Sequence, residues 1–452
     1  MSTVTKTGVA APAKRPPGDG GKRRLGMPQV LLLIAAGLLL LSAVRAITDT
    51  TNLTASAQIG GALALAVPIG LAGLGGLWAE RAGVINIGLE GMMILGTFFA
   101  GWIGWQHGPW AGALAGVIGG ALGGLVHAMA TVTFGVDHIV SGVAINILAL
   151  GATQYMAKIF FADGGALAAG GTDKQSPQVD DMPTFSISAV SGWLGDLEDK
   201  DWFLLSDVAG ALHGAAGWLG DLEGKHWFFL SDTAGILRGL TDDVSYLILI
   251  AAALFVLTYY VLWRSAFGLR LRSCGENPVA AESLGVNVYF YKYAALAVSG
   301  ALAGLGGAFL VTFTHIYLEG QTGGRGYIGL ASMIFGNWRP GGTAMAAGLF
   351  GFTDSLQLRG GGEAVHALFL LLAVLLAAYA VWKYVRGGAR AAIAAGVAAV
   401  LLGVLYATTD TVPREVVEAT PYVTTLVVLA VFAQRLRVPK WIGKRYRRGE
   451  ST

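Results

Sequence analysis

Apolar residues in this chain come in long uninterrupted runs, not in the one-faced or alternating patterns of water-soluble elements. The runs fall at about 28–47, 59–78, 84–105, 110–133, 138–160, 244–263, 290–313, 326–338, 342–358, 364–385, 391–407 and 420–434. Most approach the ~20 residues needed to cross ~30 Å of hydrocarbon as a helix. Only helices and closed barrels satisfy every backbone N–H and C=O without water, and runs this long predict helices. The runs 326–338 and 342–358 are short, Gly-rich and separated by Asn337-Trp338-Arg339-Pro340-Gly341-Gly342, so a re-entrant pair fits as well as two full spans. Pro68 lies mid-run and predicts a kink in the second helix.

Small residues repeat within the runs. Gly112, Gly116, Gly120 and Gly124 recur every four positions, and Gly300, Gly304 and Ala308 repeat the device further on. Each set makes a helix face along which another helix packs closely, and neither carries chemistry.

Composition sharpens the class. With 54% hydrophobic and 13% charged residues, against ~25% charged in a soluble domain, the chain is a polytopic membrane protein. A net charge of +3 is too small to argue for nucleic acid. The single cysteine, Cys274, excludes an intrachain disulfide and argues against a zinc cluster. Residues 1–26, with Lys6, Lys14, Arg15, Lys22, Arg23 and Arg24, predict a disordered basic cytoplasmic tail, and the following run is taken as a first span, not a removed signal peptide. Counting from inside, 80–81, 264–292, 339, 383–390 and the tail 435–448 face the cytoplasm. These are the basic segments, in agreement with the positive-inside bias, and both termini are then cytoplasmic.

Between 162 and 243 hydropathy drops, on the outer side. This segment contains a duplication: GWLGDLEDKDWFLLSDVAGALHG from Gly192 is echoed by GWLGDLEGKHWFFLSDTAGILRG from Gly217. Two copies are too few for a solenoid. Two amphipathic hairpins on the outer surface, with Trp193, Trp202, Trp218 and Trp227 at headgroup level, are expected. A docking platform for an external partner is the other reading.

Chemistry concentrates in Ala79 to Met93, AERAGVINIGLEGMM, where Glu80 and Arg81 lead into a run carrying Asn86 and Glu90. A carboxylate inside hydrocarbon costs a few kcal/mol or more, so Glu90 faces either a helix seam or a translocation path. Four-residue spacing predicts Asn86 and Glu90 on one helix face. Asn146, a lone amide in the fifth run, fits an interhelical hydrogen bond or the same path. Asp137 and His138 read as a loop-edge pair. The loop from Arg264, RSAFGLRLRSCGENPVAAESLGVNVYFYKY, holds a short helix started by Asn277-Pro278 and stopped by Gly285. By composition alone it is an ordinary solvated loop.

GENPVAAESLGVNV resembles the cytoplasmic coupling loop of permease subunits of ATP-binding cassette (ABC) importers, in the branch serving ribose-type sugars, branched-chain amino acids and nucleosides. AERAGVINIGLEGMM, GYIGLASMIFGNWRPGGTAMAAGLFGF from Gly326 and PYVTTLVVLAVFAQRLRVPKWIGKRYRR from Pro421 are similar to its nucleoside (simple sugar) permeases. The resemblance covers about 57–161, 246–358 and 419–448. It implies an all-α body of about 10 core spans, to which this chain adds a C-terminal hairpin for about 12 in total. The organisation expected is 1–26 tail, 27–161 N-terminal transmembrane half, 162–243 outer insertion, 244–358 C-terminal core with coupling loop 264–290, 359–418 extra hairpin, and 419–452 last span and basic tail. The long N-terminal tail, the duplicated insertion and the extra hairpin depart from the pattern.

The resemblance further implies a transport subunit driven by a separate ABC ATPase subunit, paired with a second related permease as a heterodimer and fed by an extracytoplasmic substrate-binding lipoprotein. The match places Glu276, Asn277, Pro278, Ala280, Ala281 and Gly285 on the coupling surface, and Asn86, Glu90 and Asn146 are nominated for the path. Nucleosides, with ribose hydroxyls and base edges, are the expected substrate, and ribose, galactose or a similar sugar is the alternative. The chain carries no G-x-x-x-x-G-K-[ST], so ATP belongs to the partner and no cofactor is expected here. H-E-x-x-H and G-x-S-x-G are also absent, and His107, His127 and His138 lack metal-ligand spacing, which argues against a membrane enzyme. An ion-coupled secondary transporter could also use Glu90 but has no need of the coupling motif.

Overall fold

A computed structural model of the chain describes residues 39–48, 50, 53–185, 217–224, 229–241, 243–413, 415–417, 419 and 436–448. The basic tail 1–26, most of the duplicated insertion and the last predicted span, 420–434, lie outside the described residues. The helices in chain order are α1 (Leu39–Thr48), α2 (Ser56–Arg81), α3 (Leu89–His107), α4 (Pro109–Ala128), α5 (His138–Phe160), α6 (Gly164–Ala168) and α7 (Leu230–Thr241). Then come α8 (Tyr246–Arg264), α9 (Ala266–Glu276), α10 (Pro278–Ser283), α11 (Val288–Thr314), α12 (Arg325–Phe335), α13 (Pro340–Ser355), α14 (Gly361–Val385) and α15 (Ala389–Thr408). Seven helices among the described residues are long and apolar enough to cross a membrane. One two-residue antiparallel pairing joins Thr184–Phe185 with Val244–Ser245.

The body is built around α2 and α11, which are almost wholly buried over their apolar length. Pro68 sits inside α2, buried, and the helix continues through it. α11 packs against α2, α3 and α4, and the two predicted glycine faces meet each other there. A Cβ built on Gly120 would lie 2.2 Å from the carbonyl oxygen of Gly300, one on Gly304 2.2 Å from that of Gly116, and one on Gly124 2.2 Å from that of Leu296. At such spacing only backbone fits, so the seam is held by dispersion between main chains, and no side chain can be inserted without moving a helix.

Two predicted runs form helices with bounds other than those expected. The run 84–105 becomes helical only at Leu89, because Gly83 (φ 85°) turns the chain out of α2 and 82–88 is irregular. The run 326–338 yields α12, 11 residues or about 16 Å at 1.5 Å per residue, half of what a crossing needs. It turns into α13 at Asn337 and Trp338, both in the left-handed region (φ 54° and 53°). α13 runs on through a π-helical turn, Leu356–Gly360. α14 and α15 pack against each other as a hairpin, and the N-terminal turns of α14 join Val44, Leu53 and Leu356 in a small satellite core. Of the duplicated segment, Trp218 is described and is exposed.

Gly120→Val should destabilise the folded protein by about 3 kcal/mol or more, as overpacking against rigid backbone does. Gly151→Ala, at a glycine with no atom within 4 Å of its Cβ direction, should leave stability unchanged. Thermal unfolding in detergent checks the contrast.

Candidate functional site

The irregular segment 82–88 interrupts an otherwise apolar run, so its backbone groups need partners supplied by the protein. They come from two helices, α4 and α5. Ile85 N–H donates to His138 Nδ1 (3.3 Å), and His127 Nε2 donates to the Ile85 carbonyl (3.0 Å). Asn146 Nδ2 donates to the Ile87 carbonyl (3.1 Å) and to Tyr327 Oη (2.9 Å), while Asn146 Oδ1 accepts from Gly91 N–H (2.7 Å). These partners dictate the tautomers. His138 must leave Nδ1 bare to accept, and His127 must carry its proton on Nε2, so that Ser141 Oγ, 2.9 Å from Nδ1, donates to it. His127 and His138 are both buried, and Asp137, beside the latter, caps α5 by accepting from Ile139 and Val140 N–H (2.9 and 3.1 Å).

Asn86 and Glu90 do not share a helix face. Asn86 lies in the irregular segment, with Nδ2 donating to Ser299 Oγ of α11 (2.9 Å), whereas Glu90 lies in the first turn of α3. The four-residue rule fails because the helix starts between them. Glu90 is buried and accepts from Gly324 N–H (3.0 Å) and Gly326 N–H (2.7 Å). Its carboxylate thus sits on the N-terminus of α12, where unpaired N–H groups and the helix dipole favour a negative charge. The three nominated residues therefore converge, tying the break to α11, α12 and α5 respectively. Sequence inspection missed His127, Ser299 and Tyr327. The only available signal was that they are polar groups in apolar runs.

A second cluster stands at the opposite side of the break from α3. Trp338 Nε1 donates to Glu80 (2.5 Å), and Arg81 donates to the Trp338 carbonyl through Nε (3.2 Å) and Nη2 (2.6 Å). Trp263 lies between two guanidinium groups, Arg81 at 5.3 Å and Arg272 at 5.5 Å from its ring. The predicted short helix is α10. Asn277 caps it by accepting from Ala280 N–H (3.0 Å), and Gly285 (φ 80°) ends it. Glu276, Asn277, Ala280 and Gly285 are exposed, whereas Pro278 and Ala281 turn inward and seat the helix on the core. The exposed face also includes Leu284, at 84% exposure an apolar side chain that nothing in this chain covers among the described residues.

The sequence model for the branched-chain amino acid transport system permease component matches residues 58–379. The chain belongs to this permease family. A guanosine ABC transporter permease protein of Bacillus subtilis, NupQ, is 34% identical over 311 residues, covering 66% of this chain and 81% of the relative. A nucleoside ABC transporter permease protein of Lactococcus lactis, NupC, is 31% identical over 310 residues, with the same coverage of 66% and 81%. A putative glucose ABC transporter permease protein of Haloferax volcanii, TsgC13, is 29% identical over 291 residues, covering 64% and 73%. No solved structure matches the chain. The permease is thus a multi-pass membrane protein and a transport component, and its family works with ATPase and binding-protein partners.

Two predictions follow from these contacts in the permease. Asn146→Leu strands the Ile87 carbonyl and Gly91 N–H and should cost about 2–6 kcal/mol, at about 1–3 per orphaned group. A fall in thermal stability in detergent, larger than for Gly151→Ala, checks it. Burial pushes the Cys274 thiol from 9.0 up to about 11. The folded state therefore keeps a proton that the unfolded chain releases, so this contribution is present below pH 9 and fades as pH rises to about 11. At pH 8 alkylation of Cys274 should run at least about tenfold slower than in denaturant, because the thiolate is the reactive form.

Proposed function

We propose that this permease is the membrane channel of an ATP-binding cassette importer that takes up nucleosides by alternating access. The observation that carries this reading is 31–34% identity to guanosine and nucleoside permeases over four-fifths of their length. The chain sits in the bacterial cytoplasmic membrane with both termini inside. It pairs with a second homologous permease and receives substrate from an extracytoplasmic lipoprotein. It binds no nucleotide cofactor itself, and ATP is consumed by the partner. Uptake of a simple sugar is the second reading, favoured by the 29% identity to a putative glucose permease.

In this mechanism the ATPase grips the exposed face of α10 through Glu276, Asn277, Ala280, Gly285 and Leu284, with Pro278 and Ala281 holding the helix in place. Nucleotide-driven closure shifts α9–α10, and the break at 82–88 lets α2 and α3 move as separate rods. Contacts that differ between states are what make such a shift productive. Asn86, Glu90 and Asn146 serve the path by setting the geometry of the break. Asn86 Oδ1 is buried without a protein partner among the described residues, which leaves one acceptor for a substrate hydroxyl or a water that accompanies it.

Glu276→Arg combined with Gly285→Trp should abolish co-purification with the ATPase while the permease still inserts. Full co-purification would remove α10 from the coupling role. Glu90→Gln should leave assembly intact and lower uptake about five- to tenfold, the equivalent of about 1–1.4 kcal/mol of charged capping at the α12 N-terminus. Uptake equal to that of the unmodified permease would take Glu90 out of the path.

A further inference from the structure

The segment 436–448 has no part in the mechanism so far, yet it touches every element that the mechanism moves. Trp441 N–H donates to the carbonyl of Gly275 at the end of α9 (2.9 Å), and Gly443 N–H donates to that of Gly83 at the start of the break (3.3 Å). Arg437 N–H donates to Asn337 Oδ1 in the left-handed turn between α12 and α13 (2.7 Å). Arg448 pairs with Glu282 of α10 (3.0 Å), and the Tyr446 ring lies 5.7 Å from that of Tyr289 at the start of α11. Arg445 completes the set against Gly135, in the turn between α4 and α5, its Nε 3.6 Å from the Cβ direction there. Gly443 takes φ 72°, and a Cβ on it would fall 2.8 Å from Ile85 Cδ1, the residue whose N–H and C=O are held by His138 and His127. Thirteen residues thus link the exposed helix, the break and the α12–α13 turn, three of the contacts being hydrogen bonds from their own backbone N–H groups.

We propose that residues 436–448 form a transmission strap that carries the displacement of α10 to the break at 82–88 and to the α12–α13 turn. The strap is a positioning element. It contacts neither substrate nor nucleotide, and its role rests on the ATP-driven reading above. Backbone bonds to Gly83 and Gly275 make the break follow α9, and the bond to Asn337 makes the α12–α13 turn follow both. With the strap displaced, hydrolysis continues but the path no longer opens in step with it.

The test uses the complete complex of permease pair and ATPase in proteoliposomes, with radiolabelled guanosine outside and binding protein supplied. Gly443→Val, which forces the strap away from Ile85, should keep ATPase co-purification and hydrolysis within about twofold while uptake per ATP falls tenfold or more. Arg448→Glu is a milder variant on an exposed pair, worth up to about 1 kcal/mol or about fivefold. Its loss in uptake per ATP should be restored by adding Glu282→Arg, with ATPase association and thermal stability unchanged in both variants, whereas a merely structural defect would lower stability alongside uptake. Unchanged uptake per ATP in Gly443→Val overturns the strap while the importer reading stands. Loss of ATPase association in that variant also overturns it, by making the segment a docking surface. Absence of ATP-dependent uptake of guanosine, and of ribose, galactose and glucose offered in its place, by the unmodified complex overturns the importer reading and the strap together.

Discussion

A stretch of backbone that leaves the helix inside an apolar run has to find hydrogen-bond partners within the protein, because hydrocarbon offers none. Around this permease's break at 82–88 that requirement recruits His138, His127 and Asn146, each from a neighbouring helix, for the groups of Ile85, Ile87 and Gly91. The price of one irregular turn is a polar knot that orders four helices. It also gives the permease a joint. α2 and α3 are covalently continuous but separate helices, the division that the proposed mechanism uses to move them as rods.

Close backbone contact does the opposite work. Along the seam of α4 and α11 the glycines remove every side chain that could act as a bearing, and carbonyl oxygens stand where Cβ atoms would be. This part of the body can shift only as a unit. Rigid seam and broken helix lie side by side, joined by the Asn86–Ser299 hydrogen bond. The half-length helix α12 completes the arrangement, its N-terminus held by Glu90 and its far turn by Glu80, Arg81 and Arg437. The carboxylate of Glu90 thus stands at the N-terminus of this half-helix and the guanidinium of Arg81 at the turn beyond its C-terminus, the ends that the helix dipole favours for each sign.

Much of this was legible in the chain. Length and hydropathy of the runs set the all-helical, polytopic class, since no soluble core tolerates so little charge. Four-residue spacing marked both glycine faces, Asn277 and Gly285 marked the ends of α10, and the short Gly-rich runs marked helices too short to match the rest. These features are local: each depends on the conformational preference of a few consecutive residues.

What tertiary structure alone decided is which groups meet. No spacing rule pairs Gly120 with Gly300, aims Glu90 at Gly326, or brings a strap near the C-terminus against Gly83, because these partners lie far apart in sequence and their encounter depends on how whole helices pack. The pairing of Asn86 with Glu90 on one face failed for the same reason. Helical periodicity assumes an unbroken helix, and the cost of breaking it was covered by side chains of α4 and α5, whose presence there only the folded molecule reveals.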